Sequence, residues 1–511
     1  MNQHLLRWIG DADAVRHSER FKVDQITVRQ AEVQARTDDY YIALVGELFT
    51  RMRTRSEDAD GWSRLGNALA LIAAPGQEQE LKRSGISQPE ATLFAATAFY
   101  CGGFPASANI TIKSRRGDPA ESESYLACAD LLERPTAMRS QLGRYLLDAL
   151  ERGALQQIED IRLSTEKDAA RKLDVSATEW IPARLLENLV RRFASTNVRA
   201  VLPDGDSAVW TPFVQSLLRR RTPIWDFFPS QIEAIKRGLI ESDQTFSLQM
   251  PTSAGKTALM ETLLYWHAGK TRTEIAILLV PFRSLASELK GSLVRHLNDL
   301  RIPAKCIYGG TVPTGDEVHD LAATRVIIAT PEALSGLLNA GELVPRISLV
   351  ICDEGHLLDG EGRGVGLEML LARLKTRLSG PPRFVFISAI VPNVEEINSW
   401  LGGDESGVVR SSYRPAIAEY SVLRPRGDGV NRQIDLEMHP QLEDDASYRM
   451  ANFLGRSAFQ YQNEDTGRLK TYSFASNKVL AVAAARKALR IGTVALFAGN
   501  KRGGPRRNRD G

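Results

Sequence analysis

From about residue 222 onward, short apolar runs rich in β-branched residues alternate with helical patterns. No other feature limits the possible folds of this 511-residue chain so strongly. The runs are Glu274–Val280, Ala304–Tyr308, Thr324–Ala329, Ile347–Cys352 and Arg383–Ile387. A strand that is apolar on both faces has to be covered on both, and helices between consecutive strands supply the cover. The expected result is an α/β domain with a parallel sheet. Ligands of such sheets gather at the carboxyl ends of the strands. Each run is followed by a polar or glycine-containing segment, so the chemistry is expected there.

Residues 1 to about 205 have a different texture. Segments such as Tyr40–Phe49 and Ser140–Leu150 carry apolar residues at i, i+3 and i+4, and turn signals separate them at Ala74-Pro-Gly76, Gly117-Asp-Pro119 and Pro203-Asp-Gly205. An all-α N-terminal accessory domain is expected over 1–205, followed by a linker over 206–221. The run Arg219-Arg-Arg221 in that linker reads as a solvated stretch, with a nucleic-acid contact as the alternative. A chain this long exceeds one ordinary core, and 43% hydrophobic with 25% charged residues is the composition of a globular protein. Net charge is only +3, so a nucleic-acid surface has to be a local patch. Cys101, Cys128, Cys306 and Cys352 lie far apart with no Cys-x-x-Cys pair, which argues against a zinc site or a disulfide framework and fits a reducing compartment. The N-terminus lacks the apolar core of a signal peptide. The most apolar window, Ala91–Ala106, is too short to span a bilayer and is broken by Gly102, Gly103 and Pro105. A cytoplasmic protein without a membrane segment is expected.

The strongest chemical signal is Phe246-Ser-Leu-Gln-Met250 running into Pro251-Thr-Ser-Ala-Gly-Lys-Thr257. A strand, a loop of small residues and then a helix make a phosphate cradle. Backbone N–H groups face the anion, and the positive end of the helix dipole adds to them. Lys256 would reach the β- and γ-phosphates, and the Thr257 hydroxyl would ligate Mg²⁺. The first glycine usual in such a loop is replaced by Met250. About a hundred residues later, Ile347–Cys352 delivers Asp353-Glu-Gly-His356. Asp353 would hold Mg²⁺ through water, and Glu354 would orient and deprotonate the water that attacks the γ-phosphate.

Together these segments resemble the first motor domain of superfamily 2 helicases of the DEAD/DEAH-box (DExH) type, within them the Ski2-like group, over about residues 222–420. That group's nucleotide loop has the form Pro-Thr-Ser-Ala-Gly-Lys-Thr, which accounts for Met250. The resemblance makes Thr252, Ser253, Ala254, Gly255, Lys256 and Thr257 the ATP loop, and Lys256, Asp353 and Glu354 the catalytic set. Phe227-Phe-Pro-Ser-Gln231 matches the Q motif, in which Gln231 would read the adenine edge. Val280-Pro-Phe-Arg-Ser-Leu-Ala286 and Thr330-Pro-Glu332 match motifs Ia and Ib, and Ser388-Ala-Ile390 matches motif III. Trp400-Leu-Gly402, Arg363-Gly364 with Glu368, and Tyr413-Arg-Pro415 are also similar to segments of the group. The implied cofactors are ATP and Mg²⁺. The implied partner is single-stranded DNA or RNA, gripped by its backbone through Arg283, Gly309, Gly310, Thr330 and Arg363. For Arg283 a surface salt bridge is the rival reading. His356 and Ser388 would couple nucleotide state to strand movement. Motif III normally ends in Thr and here ends in Ile390, which points either to altered coupling or to a tolerated variant.

A helicase of this kind has a second motor domain whose arginines stabilise the γ-phosphate, worth roughly 10³–10⁵ in rate in related NTPases. Residues 421–499 are expected to begin a RecA-like domain of that kind, left incomplete, with a helix at Ser476–Arg486 and a strand at Thr493–Gly499 resembling motif IV. A basic, disordered tail is expected over 500–511. No segment resembles motifs V or VI. A fragment, a frameshifted reading frame and a completing partner chain each account for that, and the chain alone is expected to bind ATP–Mg²⁺ with slow turnover. The leading expectation is an ATP-dependent nucleic-acid motor serving repair, RNA turnover or prokaryotic defence. The alternative is a non-motor, ATP-gated nucleic-acid clamp or partner-binding subunit, with residues 1–205 as a protein-interaction module.

Overall fold

The computed structural model describes residues 17, 21–23, 26–27, 37–74, 78–115, 122–203, 207–271, 273–308, 321, 323–339, 346–359, 363–377, 381–416, 420–427, 433–439, 448–463, 465–471, 477–489 and 491–497. The chain divides into two compact units: one holds Glu57–Ser63 and Ala95–Ala416, the other Met1–Ser56, Arg64–Phe94 and Ile417–Gly511.

The larger unit is built on a seven-stranded sheet. Its strands are β1 (Phe246–Gln249), β2 (Ile275–Leu279), β3 (Ala304–Ile307), β4 (Val326–Ala329), β5 (Ile347–Cys352), β6 (Arg383–Ser388) and β7 (Val408–Arg410). They lie in the order β3-β4-β2-β5-β6-β1-β7, and every pairing is parallel. All five residues of β2 are buried, as a strand covered on both faces requires. On one face Ile275, Ile277 and Leu279 join Leu334, Leu370, Leu374, Phe384 and Phe386 in a single core. The two-residue alternation of a strand sends the residues between them to the other face.

Helices of the N-terminal region belong to this same unit, among them Glu123–Glu133, Gln141–Arg152, Leu155–Lys172 and Ala177–Thr196. Three of them start at a serine (Ser122, Ser140, Ser176) whose hydroxyl accepts from a backbone N–H three residues on. That is the N-cap that stops a helix from leaving its first donors unpaired. Residues 1–205 are therefore not a unit by themselves: part of the helical region is built into the α/β unit.

The expected linker is a correction. Residues Ser207–Leu218 form a helix, with Trp210, Phe213, Val214 and Leu217 buried. Trp210 stacks on Trp266 with centroids 5.1 Å apart, Phe213 stacks on Tyr265 at 4.7 Å, and the Tyr265 hydroxyl donates to the Val209 carbonyl at 2.5 Å. Both partners lie on the helix Lys256–Lys270 that follows the phosphate loop. Arg220, expected in solvent, instead donates to Glu261 on that helix at 2.5 Å, and Glu261 is only 2% exposed. A carboxylate buried so deeply needs a cation, and the arginine run supplies it.

In the smaller unit, Tyr420–Arg426, Gln433–His439 and Tyr448–Leu454 form an antiparallel sheet, edged by Ile26–Thr27. Ile434, Met450, Leu454 and Phe459 make its core, and the helix Asn477–Ala488 packs there through Ala483. These antiparallel strands differ from the parallel alternation expected of 421–499. The strand expected at Thr493–Gly499 is absent from residues 493–497, where Phe497 is almost fully exposed; 498–499 and the tail 500–511 lie outside the described residues. Among the described residues no helix is long and apolar enough to cross a membrane.

Trp210→Ala should lower stability by about 3–5 kcal/mol, the usual cost of deleting a buried aromatic ring. The comparison variant Val365→Ala, at a residue 55% exposed, should move it by less than about 0.5 kcal/mol. Urea denaturation followed by tryptophan fluorescence and circular dichroism measures both.

Candidate nucleotide-binding site

The phosphate loop leaves β1 at Met250, which is fully buried, and its N–H donates to the Ser388 carbonyl at 2.8 Å. A glycine there would leave a hole between β1 and the end of β6, so the methionine is a core residue of this loop. Two loop residues have left-handed backbone: Ser253 (φ +70°) and Gly255 (φ +84°), the latter immediately before the helix Lys256–Lys270. Gly255 is required twice over. Its φ favours glycine, and a Cβ there would stand 2.5 Å from the Gln231 amide nitrogen. Thr252, Ser253 and Thr257 are exposed on the loop, and Ala254 is buried beneath it.

Gln231 lies in the first turn of the helix Pro229–Lys236 and is 3% exposed. Its amide oxygen accepts from the Phe228 N–H at 2.7 Å, and its nitrogen donates to the Gly255 carbonyl at 2.8 Å. Ser230 donates to the Ala254 carbonyl at 3.2 Å. Two side chains of the Q segment thus hold the loop by its backbone. The Phe228 ring lies 5.6 Å from Tyr413, which in turn stacks on Phe104 and donates its hydroxyl to the Gly103 carbonyl at 2.9 Å.

At the end of β5 the Asp353 N–H donates to the Leu279 carbonyl, continuing the ladder with β2 by one residue. The chain then turns sharply. Glu354 has φ +52°, strained backbone for a side chain of its size, and its N–H donates back to the Asp353 carboxylate at 2.9 Å. Burial, and then the neighbouring Glu354 charge, push the Asp353 carboxyl up to about 6. Lys256 Nζ lies 3.3 Å from Glu354 Oε1, and His356 Nδ1 lies 3.3 Å from Glu354 Oε2. Gly355 passes so close to β6 that a Cβ would stand 2.1 Å from the Phe386 ring, and at Gly364 one would stand 2.5 Å from the Leu358 carbonyl oxygen.

The fold therefore brings Gln231, the loop 252–257, Asp353, Glu354 and His356 together. Thr252, Glu354 and His356 share with Phe282, Ser284 and Glu288 the wall of an open cleft of about 550 Å³. Ser388 is fully buried at the end of β6, its hydroxyl directed to the Ile390 carbonyl at 3.4 Å, while Ile390 itself is 72% exposed. Arg283 is exposed at the start of the helix Arg283–Leu289 and has no ion pair among the described residues. Thr330 is 2% exposed and precedes the helix Pro331–Asn339, its hydroxyl accepting from the Ala333 N–H at 3.5 Å and its carbonyl from the Leu334 N–H. Arg363 begins the helix Arg363–Arg377; Gly309 and Gly310 lie outside the described residues.

The donor set fits a nucleotide–Mg²⁺ complex. Mg²⁺ usually takes one or two carboxylates together with substrate phosphates and water, not a full protein cage. Asp353 is a carboxylate of that kind, and the exposed Thr257 adds a hydroxyl oxygen beside the loop. Missing from the sequence-based set were Asp226, Ser230 and Tyr413. Ser230 and Tyr413 stand inside motif segments that assign them no role, and Asp226 has no signal at all; their partners lie 24 to 310 positions away.

Gly355→Ala should destabilise the chain by about 1–3 kcal/mol through overpacking against Phe386. Combining it with Phe386→Leu, which shortens the opposing side chain, should give back part of that loss. A double-mutant cycle by urea denaturation measures the coupling.

The DEAD/DEAH box helicase family matches residues 228–397. The chain is 28% identical over 369 residues to the Hachiman protein HamB of Bacillus cereus, a match covering 70% of this chain and 32% of that protein. It is 30% identical over 208 residues to the ATP-dependent DNA helicase Hel308 of Methanocella arvoryzae, covering 39% and 26%. Among solved structures, the DUF1998 helicase MrfA bound to DNA aligns with 41% of this chain and 30% of its own, at 18% identity and a TM-score of 0.33. The chain thus spans about a third or less of the length of these curated relatives. With motif-bearing strand ends inside the matched stretch, residues 228–397 are a DEAD/DEAH box helicase domain of the Ski2-like superfamily 2 group.

Proposed function

We propose that the α/β unit binds ATP with Mg²⁺ and uses it to move along, or change its grip on, a nucleic-acid strand, as the working half of an ATP-dependent helicase or translocase. The observation that carries this reading is the meeting of Lys256 with Glu354, from segments 98 residues apart, at 3.3 Å. A lysine only 9% exposed needs a counter-charge, and Glu354 supplies one in the space where phosphates would compete for it. The exchange would free Glu354 to accept a proton from water, with His356 beside it. Thr257 and Asp353 would hold the metal, which neutralises developing phosphate charge when bound. Gln231, fastened to the loop through Gly255, would set the loop's position against the base. Arg283, exposed and without an ion pair among the described residues, suits a phosphate of the strand, and such contacts read no sequence.

The likeness to HamB runs well beyond the helicase domain, which supports a role of the same kind as that Hachiman protein among those left open by the motifs. A protein partner bound through residues 1–205 is also part of this proposal.

Lys256→Ala should weaken binding of a fluorescent ATP analogue in the presence of Mg²⁺ by roughly tenfold or more, since it removes a charge-assisted contact. Chelating Mg²⁺ should weaken wild-type binding too. Equal affinity in wild type and variant would end the nucleotide reading. Arg283→Ala should lower single-strand affinity and reduce the slope of log K against log salt by about 1. ATP turnover stimulated by the strand separates a motor from a clamp, in which ATP alters affinity without turnover.

A further inference from the structure

Outside the nucleotide site, a polar cluster lies deep between the helical region and the segment that leads into Gln231. Asp226 is 5% exposed. Its carboxylate accepts from the Tyr100 hydroxyl at 2.9 Å and from the Thr196 hydroxyl at 3.0 Å, and it pairs with Arg134. Tyr100 and Thr196 lie on two separate helices, and Arg134 caps the end of a third, Glu123–Glu133. Arg134 also lies over the Trp225 ring, at 5.8 Å from its centroid. The backbone repeats the attachment: Val198 N–H donates to the Trp225 carbonyl at 2.8 Å, and Phe227 N–H to the Thr196 carbonyl at 3.1 Å. Residues 225–227 are thus stitched to the end of the helix Ala177–Thr196 on both sides of Asp226.

Phe228 follows this clamp directly; its N–H is held by Gln231, and Gln231 in turn holds the Gly255 carbonyl. No flexible joint interrupts the path, because the helix begins directly at Pro229, whose ring fixes its backbone. Burying an ion pair together with two hydroxyls in this place costs desolvation that an apolar cluster would avoid. What such a cluster supplies is direction, since hydrogen bonds, unlike apolar contacts, favour defined distances and angles at the carboxylate.

We infer that Asp226, held by Tyr100, Arg134 and Thr196, is a positioning residue for nucleotide binding: it sets Gln231 and, through it, the phosphate loop. The inference rests on the reading that this loop binds ATP. The helical region is then a fixed brace of the nucleotide site, and base selection depends on residues of helices that never touch the nucleotide. Burial and the Asp226 charge hold the Tyr100 hydroxyl well above the usual phenol range, so it stays a donor at neutral pH.

The test uses the full chain and three variants. Tyr100→Phe removes one hydrogen bond to Asp226 and keeps the ring. Asp226→Asn keeps the shape and removes the charge. Lys256→Ala reports on the nucleotide reading alone. Fluorescent ATP and GTP analogues are titrated against each, alongside thermal melts. Tyr100→Phe and Asp226→Asn are expected to weaken ATP binding by roughly threefold to thirtyfold, the range of couplings carried through packed networks. They should also narrow the ATP-to-GTP preference, because Gln231 no longer sits in one place. A purely structural role would lower the melting temperature of these variants and leave the base preference of their folded fraction at the wild-type value; that result overturns the inference. So does unchanged ATP affinity in both variants while Lys256→Ala abolishes binding. If wild type and Lys256→Ala bind neither nucleotide, the nucleotide reading itself fails, and the two failures are distinguishable.

Discussion

Parallel pairing on both sides of β6 is the constraint from which the site follows. β1 runs beside it with Gln249 opposite Ser388, and β5 runs along its other edge with Cys352 opposite Phe386. Parallel strands end on the same side of a sheet, so the loop after β1 and the acidic turn after β5 emerge together with one strand's width between them. A reversal of either strand would send Lys256 and Glu354 to opposite ends of the domain. Their 3.3 Å approach is therefore a property of sheet topology before it is one of side chains.

Close backbone approach then decides which residues can stand at the strand ends. Gly355 lets the turn after β5 lie on the Phe386 ring, and Gly364 lets the next helix start against the Leu358 carbonyl. Gly255 takes the left-handed backbone before Lys256 and leaves room for Gln231. Where no such demand exists, glycine is dispensable: Met250 occupies the first position of the loop because its side chain completes the core below. Strain is kept where the charges are, at Ser253 and Glu354, the non-glycine residues of the site with positive φ.

Legibility in the sequence followed locality. The five apolar runs each form a strand, since burial on both faces writes itself into consecutive residues. The loop 251–257 and the turn 353–356 were readable because phosphate chemistry fixes residue types at short spacing. That Thr330 is buried at the start of its helix could not be read in the same way, because a motif's spelling does not say which of its side chains the core covers. Residues 206–221 read as a linker for a related reason. Trp210, Phe213 and Arg220 look like scattered hydrophobic and basic residues until Tyr265, Trp266 and Glu261 are folded against them.

The sequence by itself determined the α/β class, the place of the phosphate loop and the acidic pair that faces it, because each depends on residues adjacent in the chain or one strand apart. Tertiary structure alone decided that the helical region divides between two units. It also placed Asp226, Tyr100 and Arg134 in one cluster, across separations of 92 and 126 residues. Nothing local encodes such contacts. A buried carboxylate's partners are chosen by whichever helices the packed core brings within hydrogen-bond reach, and that choice is made only when the whole unit folds.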